Sequence, residues 1–357
     1  MAELVIRDQQ PLAELTSLEL GGAAEHFAAI EERAQLIEAF AWASRRARPT
    51  TILGGGSNVI VSDRGVPGLV LRMQTRGIEI TSAGELIAQA GESWDGLVAR
   101  SVDEGLAGIE CLSGIPGQAG ATPIQNVGAY GQEIAQSLRA VEVLDRSTGQ
   151  IAWLGAEACD FAYRSSRFKR EPDRYVVLAV RFGLRRGPAQ APRYAELAKA
   201  LAAISGEPSL EQVRAAVLSL RRAKSMLIEA GDENRRSVGS FFLNPIVSAA
   251  QADEVAMRAR ASGLLAAREE MPRYPQADGS LKLSAAWLIE KSGTRKGERF
   301  GGVGISTRHS LALVHHGGAS TGELLALAET VRARVRSAFQ IELAPEPVPL
   351  GFDRAPF

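Results

Sequence analysis

Three consecutive glycines, Gly54, Gly55 and Gly56, stand between an apolar run and the pair Ser57-Asn58. Adjacent glycines let backbone N–H groups turn toward a small anion with no Cβ in the way, and such a nest typically holds a phosphate. The two polar side chains that follow can add donors at its rim. We expect a positive φ at Gly55, which a β-branched residue cannot easily adopt. The side chain of such a residue would also cover the N–H groups. The alternative is a flexible turn between two strands.

Two familiar phosphate loops do not fit this stretch. The dinucleotide fingerprint needs a further glycine at position 59 and a helix after it, but residues 59–61 are Val-Ile-Val and predict a strand. The phosphate loop of nucleoside triphosphatases ends in Gly-Lys-Ser/Thr, and no lysine follows these glycines.

A second glycine-rich stretch covers residues 114–131. It holds five glycines and two prolines in eighteen residues, yet its composition is small and apolar, unlike that of a disordered segment. A long ordered loop of this kind is usually functional and can lie against a large planar ligand. Together the two stretches predict a site for one extended ligand with a phosphate-bearing end and a flat end.

The composition is that of a globular protein of two or three domains, with 357 residues, 45% of them apolar and 23% charged. Lys+Arg and Asp+Glu each total 41, so no basic excess indicates nucleic acid. No apolar run is long enough to cross a membrane, and no secretory signal is recognised. Cys111 and Cys159 make no disulfide framework, and the four histidines show no metal-ligand spacing with them. We expect a metal-free cytoplasmic protein.

Hydrophobic periodicity and turn residues predict the elements that carry these motifs. Residues 16–22 are expected to start a strand that a double glycine interrupts, and residues 303–315 are expected to be strand-like. A capping box at Ser320 and Glu323 predicts the start of the last long helix. The other main predictions are helices at 32–47, 93–104, 210–223, 249–262 and 283–291 and strands at 51–53, 59–62, 68–73, 141–144 and 175–182.

With these residues in view, the chain resembles the UDP-N-acetylenolpyruvoylglucosamine reductase family, flavin enzymes that make UDP-N-acetylmuramic acid for bacterial cell walls. The motifs run along almost the whole chain in the family's order. They are Leu18–Gly22, Leu53–Asn58, Gly114–Gly131, Tyr163–Ser166, Gly239–Pro245, Tyr274–Gly279, Lys282–Ile289 and Pro345-Glu346.

The resemblance implies an α+β fold of three domains, two of which form a vanillyl-alcohol-oxidase-type FAD-binding fold. We assign residues 1–73 with 341–357 to the first FAD-binding subdomain, 74–207 to the second, and 208–340 to an α+β substrate-binding domain. Tyr194 matches the tyrosine on the capping loop of the family's long form. The polar loop 185–193 leads to it.

The implied activity is NADPH-dependent, FAD-mediated reduction of the enolpyruvyl group of UDP-N-acetylglucosamine-enolpyruvate to UDP-N-acetylmuramate. This is a step of peptidoglycan synthesis, on which cell wall biogenesis, cell shape and cell division depend. FAD is expected to be bound non-covalently, NADPH to be a co-substrate, and the protein to be a monomer that binds neither nucleic acid nor membrane. The implied FAD-binding residues are Gly54, Gly55, Gly56, Ser57 and Asn58 at the pyrophosphate, and Gly114, Gly117, Gln125, Asn126, Gly128, Ala129 and Tyr130 along the flavin.

Three residues match the family's catalytic positions. The reaction brings a hydride from flavin N5 to the terminal vinyl carbon, which leaves an enolate that must be stabilised and then protonated. Arg164 can fork the carboxylate and Glu346 can assist there, while Ser240 matches the family's proton donor. From the residues alone, Arg164 and Glu346 could equally be solvated surface charges, and Ser240 could be a packed serine beside two phenylalanines.

Further matches concern the substrate. Tyr194, Lys224 and Asn244 match contacts with its diphosphate and sugar, and Lys282 and His309 are candidates for its nucleotide. A structural histidine is the alternative for His309. The chain departs from the compact family members by a longer insert, residues 225–239, so that Lys224 could sit differently; Ala23 replaces a common proline.

Two other functions remain open at this point. An FAD-dependent alcohol or aldehyde oxidase or dehydrogenase on the same fold would keep both glycine stretches, but it gives no reason for the catalytic trio. A nucleotide-binding module without catalysis would use the glycines alone, and a flavin spectrum of the purified protein would exclude it.

Overall fold

The computed structural model of the chain describes residues 3–191, 194–266 and 268–357. Its helices are α1 (Arg33–Arg45), α2 (Trp94–Asp103), α3 (Arg167–Arg170), α4 (Ala195–Leu201), α5 (Leu210–Ala223), α6 (Ala249–Ala261), α7 (Ala285–Lys291) and α8 (Thr321–Phe339). Its strands are β1 (Arg7–Pro11), β2 (Ala23–Ile30), β3 (Thr50–Leu53), β4 (Val59–Val61), β5 (Val66–Met73), β6 (Ile78–Ile80), β7 (Glu85–Gln89), β8 (Leu106–Ala107), β9 (Gly128–Ala129), β10 (Gln132–Glu133), β11 (Leu138–Asp145), β12 (Ile151–Gly155), β13 (Tyr175–Gly183), β14 (Arg185–Arg186), β15 (Ile246–Val247), β16 (Arg273–Pro275), β17 (Leu281–Leu283), β18 (Arg299–Phe300), β19 (Val303–Ile305), β20 (Leu313–His315) and β21 (Val348–Leu350).

The chain divides into two compact units. The first comprises the chain up to Gln10, Ala24–Ser57 and Val66–Leu227, and the second comprises Pro11–Ala23, Asn58–Gly65 and Ile228–Phe357. Each unit contains helices together with antiparallel sheets and one set of parallel strand pairs, which fits an α+β fold. The division into three domains at residues 73, 207 and 340 stays a prediction.

A four-stranded sheet in the first unit, ordered β1-β2-β5-β3, delivers the triple glycine. β5 runs parallel to both β2 and β3, and α1 is the crossover that connects β2 to β3. A capping box starts α1, in which Gln35 reaches back to the N-cap Glu32. Gly54 follows directly on Leu53, so the glycine turn begins where β3 ends.

A five-stranded antiparallel sheet, β12-β11-β13-β7-β6, forms the other layer of this unit. The central strand β13 is buried over five consecutive positions, from Val176 to Val180, which explains its unbroken apolar run. Ser93 caps α2, and the indole of Trp94 donates to the carbonyl of Leu112 at 3.1 Å. That bond fixes the chain immediately before the second glycine-rich stretch.

The second unit packs α6, α7 and α8 with two three-stranded sheets, β15-β17-β16 and β18-β19-β20. The predicted capping box starts α8: Ser320 accepts from the N–H of Glu323, and Glu323 accepts from that of Ser320. Asp63 also accepts from the N–H groups of Thr321 and Gly322, at 2.7 and 2.9 Å. The last strand, β21, pairs in parallel with β4.

Two sequence expectations are wrong. Residues 16–22 are irregular, with a turn at Ser17 and Leu18, and the strand starts only after the double glycine. Gly21 has a φ of 101°, which is not a strand conformation, and a Cβ there would lie 2.4 Å from the Cβ of Val61. Residues 303–315 are a hairpin rather than one strand. Strands β19 and β20 pair antiparallel, and Ser306 stabilises the loop between them by accepting from the N–H groups of Arg308 and His309. Apolar residues on both sides of that loop had hidden the turn.

Across the described ranges, none of the helices has the length and apolar character needed to cross a membrane.

Candidate functional site

The triple glycine folds as a turn against the second glycine-rich stretch. The Ser57 hydroxyl donates to the carbonyl of Pro116 at 3.1 Å and so ties the two loops together. Gly56 has a φ of 68°, whereas Gly54 and Gly55 do not lie in the left-handed region. The expected reason for a glycine at position 55 is therefore wrong, since its φ is one that other residues can adopt.

Close backbone approach explains this glycine instead. A Cβ on Gly55 would lie 2.9 Å from the Cα of Gly117, and a Cβ on Gly117 would lie 2.8 Å from the Ser57 hydroxyl oxygen. Cβ atoms in proteins essentially never approach other atoms so closely, so both loops need glycine where they meet. Gly117 also has a φ of 120°, which disfavours any side chain. The two stretches therefore form one backbone cradle.

A buried polar atom lies next to this cradle. The Gln118 side chain donates to the carbonyl of Met73 at 2.8 Å, while its other end, Oε1, is buried with no hydrogen-bond partner among the described residues. Oε1 lies 3.3 Å from the Cβ position of Gly54. A buried acceptor without a donor indicates that something absent here, such as a ligand hydroxyl or water, completes it.

Asn126 organises the second loop and has little capacity left for a ligand. It is buried, its Nδ2 donates to Glu133 at 2.8 Å, and its Oδ1 accepts from the N–H of Ala135 at 3.2 Å. The half-buried Gln125 precedes it, and the half-buried Gly128 and Ala129 form strand β9 just after it. Asn126 thus holds the loop in shape, and the neighbouring backbone remains to face a flat ligand.

Arg164 is oriented by the same loop. Its guanidinium donates to the carbonyl of Gly128 at 2.7 Å and to that of Asn126 at 3.4 Å. Asn126, Tyr130 and Arg164 have φ values of 45°, 48° and 51°. Non-glycine residues in this region cost about 1–3 kcal/mol each and cluster at functional sites. The strain and the anchored guanidinium together make this segment a candidate site.

Tyr130, Tyr194 and Lys224 form a cluster at the far end of the loop. The two rings meet edge to face with centroids 5.5 Å apart, and the Lys224 ammonium lies 5.9 Å from the centroid of Tyr130. Burial raises the pKa of Tyr130 to about 12, so its hydroxyl keeps its proton. Lys224 is the C-cap of α5 and pairs with Glu196 at 2.5 Å. The insert after Lys224 leaves this residue beside the two tyrosines.

Two charged residues of the first unit, Arg221 and Asp95, were not predicted from the sequence. The Arg221 Nε is buried without a hydrogen bond among the described residues, and burial lowers the pKa of this guanidinium. Asp95 accepts from the N–H of Gly114 at 2.5 Å and pairs with both terminal nitrogens of Arg214. Burial alone would raise the pKa of Asp95, but Arg214 and Gly114 hold it below its usual range. For Arg221, the only signal in the sequence was the cluster of basic residues at the end of α5.

In the second unit, Ser240 and Glu346 are fixed by two paired segments. The N–H of Phe241 donates to the carbonyl of Leu311 at 2.8 Å, and the N–H of Glu346 donates to the carbonyl of Phe241 at 2.9 Å. The N–H of Leu243 continues the pairing to Ala344. The buried rings of Phe241 and Phe242 hold the segment in the core, which leaves Ser240 half-buried at its start.

His309 lies next to Ser240. Its Nε2 is 3.4 Å from the Ser240 hydroxyl oxygen, although the two residues are 69 positions apart in the sequence. Asn58 also belongs to this unit, where its carbonyl accepts from the N–H of Val348 at 3.0 Å. Arg164, by contrast, belongs to the first unit.

Asn244 and Lys282 lie on two segments that pair with one another, since the N–H of Leu283 donates to the carbonyl of Pro245 at 2.9 Å. The Asn244 Oδ1 accepts from the N–H of Ala285 at the start of α7, at 2.9 Å. Lys282 is the central residue of β17, with the exposed residues Ile246 and Tyr274 directly opposite it on the two neighbouring strands. A cation between two exposed apolar side chains suits a ligand with a flat and a charged part.

These residues fit the cofactor that the resemblance implies. The backbone cradle would receive a phosphate group, and β9 offers a flat backbone edge. The buried Gln118 Oε1, which accepts no hydrogen bond within the described residues, could accept one from a ligand hydroxyl. Non-covalent binding of a large flavin nucleotide is therefore compatible with the first unit.

Comparison with known proteins gives the same answer. Residues 24–155 match the FAD binding domain family, and residues 231–350 match the C-terminal domain of UDP-N-acetylenolpyruvoylglucosamine reductase. The reductases of Thermobifida fusca and Streptomyces coelicolor are 48% and 46% identical to this chain; each alignment covers 96% of it and, respectively, 97% and 89% of the relative. The crystal structure of the reductase from Thermus caldophilus is 26% identical, with a TM-score of 0.67 over 98% of this chain and 100% of that one. The expected family and fold class are confirmed, and the chain belongs to the UDP-N-acetylenolpyruvoylglucosamine reductase family.

Proposed function

We propose that this chain reduces the enolpyruvyl group of UDP-N-acetylglucosamine-enolpyruvate to UDP-N-acetylmuramate, with NADPH as reductant and FAD as cofactor. The reaction supplies a precursor of peptidoglycan. The observation that carries the proposal is the backbone cradle of the two glycine loops, with the Arg164 guanidinium hydrogen-bonded to the carbonyl of Gly128 in the same loop at 2.7 Å. Membership of the reductase family supports the choice of substrate.

FAD, when bound, supplies the hydride chemistry between NADPH and the vinyl carbon. The first unit's own residues bind and orient it. Gly54 to Ser57 would hold the pyrophosphate by their N–H groups and hydroxyl, and Gly117 is the glycine that permits the loops to close there. Gly114, Gln125, Gly128, Ala129 and Tyr130 would lie along the flavin, on a loop that Asn126 keeps in shape.

Arg164 and Glu346 would stabilise the charge that develops on the substrate carboxylate. The guanidinium of Arg164 stays charged at any working pH and is already oriented by two carbonyls, so little reorganisation is needed when the enolate forms. Glu346 is fixed through its backbone bond to Phe241. Holding a donor or sharing a proton at the carboxylate is the role we propose for it.

Ser240 would donate the proton that completes the product. A hydroxyl is a weak acid, but a strongly basic carbanion can take its proton when the donor is held on one face. The bond from Phe241 to Leu311 and the buried phenylalanine rings provide that rigidity. Precise placement matters because proton transfer falls off steeply with distance.

The substrate's remaining groups would meet two sets of residues. Tyr194 and Lys224, beside Tyr130, would contact the diphosphate, and Asn244 the sugar. Lys282, with the exposed Tyr274 opposite it, would contact the nucleotide. We propose in addition that the protein acts as a monomer in the cytoplasm, and sedimentation at working concentration checks the first point.

Substitution of Ser240 tests the function and its mechanism together. NADPH should bleach the flavin of the Ser240→Ala variant at the wild-type rate, because that step needs no carbon acid. Reoxidation by the enolpyruvyl sugar should slow by about 10²–10⁴-fold, the usual span for a general acid. Ser240→Cys should regain part of the rate, since a thiol can also donate a proton.

The measurement is stopped-flow flavin absorbance with the two half-reactions followed separately. Ser262→Ala, at an exposed position of the same unit, is the matched control and should leave both steps unchanged. A wild-type flavin that the enolpyruvyl sugar does not reoxidise would refute the proposed function. Equal slowing of both steps in Ser240→Ala would leave the function in place but make Ser240 structural.

A further inference from the structure

The proton that Ser240 gives away must be replaced, and the structure has a group beside it that can do so. His309 places Nε2 at 3.4 Å from the Ser240 hydroxyl oxygen. Hydrogen bonds between a hydroxyl and a neighbouring imidazole are often this long without substrate and shorten in the complex. An imidazole titrates near neutral pH and can carry a proton that a serine hydroxyl cannot hold in reserve.

The loop between β19 and β20 holds His309 in place. Its N–H donates to the buried Ser306 hydroxyl at 3.3 Å, and its carbonyl accepts from the N–H of Ala312 at 3.0 Å. Leu311, two residues after His309, accepts the N–H of Phe241 through its carbonyl. The same small set of backbone bonds therefore positions both Ser240 and His309.

We propose that His309 is the group that returns a proton to Ser240 during reduction of the substrate. This inference rests on the proposed function. The O–H bond of Ser240 breaks as its proton forms a C–H bond with the substrate carbanion, and the Nε2–H of the His309 imidazolium breaks as its proton passes to the serine oxygen. The carbanion's electron pair becomes the C–H bond, Ser240 ends as a neutral hydroxyl, and His309 ends as neutral imidazole. A proton from the bulk solvent then restores the imidazolium, so that each turnover consumes one hydride from NADPH and one solvent proton.

The proposal fixes the sign of the pH dependence. The histidine must be protonated to donate, so reoxidation should be fastest below the pKa of His309 in the substrate complex and fall as pH rises through that pKa. The charged residues on the segments around His309 are Arg308 on its own loop, Asp232, Glu233, Arg235 and Arg236 on the segment before Ser240, and Glu346 on the segment paired with Phe241.

The decisive variant is His309→Gln, because an amide can hydrogen-bond to Ser240 but cannot deliver a proton. Reoxidation of its reduced flavin at low pH should slow by roughly 10²-fold, and the fall with rising pH should disappear. In His309→Ala, added imidazole should restore the rate in proportion to the imidazolium concentration. Reduction by NADPH and thermal stability should stay close to wild type. His26→Gln, in the first unit, is the matched control and should change nothing.

A second measurement does not depend on turnover. Nitrogen NMR of the histidine side chains should show that Ser240→Ala shifts the Nε2 signal and the titration of His309 while leaving His26 unchanged. The His309→Gln variant assigns the signal. An unshifted His309 signal would show that the two side chains do not interact, and the proposal would fall.

The outcomes separate this inference from the proposed function. If Ser240→Ala is slow in reoxidation but His309→Gln keeps both the rate and the pH dependence of wild type, the histidine returns no proton and only the present proposal is overturned. If Ser240→Ala is itself fast, the role of Ser240 as proton donor is refuted and the proposal for His309 is refuted with it.

Discussion

The contact between the two glycine loops gives the sharpest test of the cofactor site. In the Gly55→Val variant the new Cβ would lie 2.9 Å from the Cα and 3.2 Å from the carbonyl carbon of Gly117. Both are backbone atoms, so no side-chain rotation can relieve the overlap. The loops must move apart, and the cradle that would hold the pyrophosphate must open.

The size of the effect follows from the overlap. Inserting carbon atoms into a filled space costs about 1–3 kcal/mol. If FAD must press the loops together again, that cost appears in its dissociation constant and weakens binding by about 5- to 150-fold. Gly55→Ala should show the lower part of this range, because it has the same Cβ overlap without the two further methyl groups.

Gly155 provides the control, and Gly54 provides an intermediate case. Gly155 has a φ of −63° and nothing within 4 Å of its Cβ position, so Gly155→Ala should bind FAD as the wild type does. In Gly54→Ala the nearest atom is the side-chain oxygen of Gln118 at 3.3 Å, which can move by a few tenths of an ångström. We expect an intermediate loss there.

The assay is titration of FAD-depleted protein with FAD, followed by flavin fluorescence. Thermal unfolding of the same FAD-free samples shows whether the variants remain folded. Gly55→Val should bind FAD more weakly than Gly155→Ala, and equally tight binding by the two folded variants is the outcome that contradicts this expectation. Such a result would mean that the approach of the two loops has no part in holding the cofactor.

Three further predictions concern other residues of the site. Tyr194→Phe should raise the KM for the UDP-sugar by about 10- to 150-fold, corresponding to about 1.5–3 kcal/mol for a hydrogen bond to a charged phosphate, with flavin reduction by NADPH unchanged; equal effects on both half-reactions would point to general stability. Asp95→Asn should lower the urea midpoint of unfolding. Because the pKa of Asp95 is held below its unfolded value of about 3.9, the stability that Asp95 contributes is present above that pH and is lost as pH falls through the folded pKa. The midpoint of the variant should therefore vary less with acid than that of wild type. Arg164→Lys should slow reoxidation much more than reduction, since an ammonium cannot fork a carboxylate as a guanidinium does; a similar slowing of both would contradict the assigned role.

Local chemistry made much of the fold predictable. Helix α5 begins after Ser209 and ends at Ala223 as predicted, because a capping box and an apolar face are both encoded within a few residues. The same holds for α8 and its Ser320. The glycine turn was located correctly for the same reason, since a run of glycines is a local signal.

Features that depend on long-range packing were not predictable in this way. The need for glycine at position 55 comes from Gly117, which lies 62 positions further along the chain, so the sequence offered only a conformational reason, and that reason was wrong. The contact of Ser240 with His309 arises from the hairpin that was expected to be one strand. The burial of Arg221 likewise results from its neighbours in space.

The pairing of β21 with β4 has a consequence for synthesis of the chain. Val348 pairs with Val59, so 288 residues must be made between the two partners. At typical rates of about 5–20 residues per second, β4 waits roughly 15–60 s for its neighbour. Much of the chain between the two strands, Val66–Leu227, belongs to the other unit and can fold as soon as it leaves the ribosome. During that interval the apolar β4 is an open strand edge, and we expect a chaperone that binds extended apolar segments to engage nascent chains halted before residue 348 more strongly than complete ones.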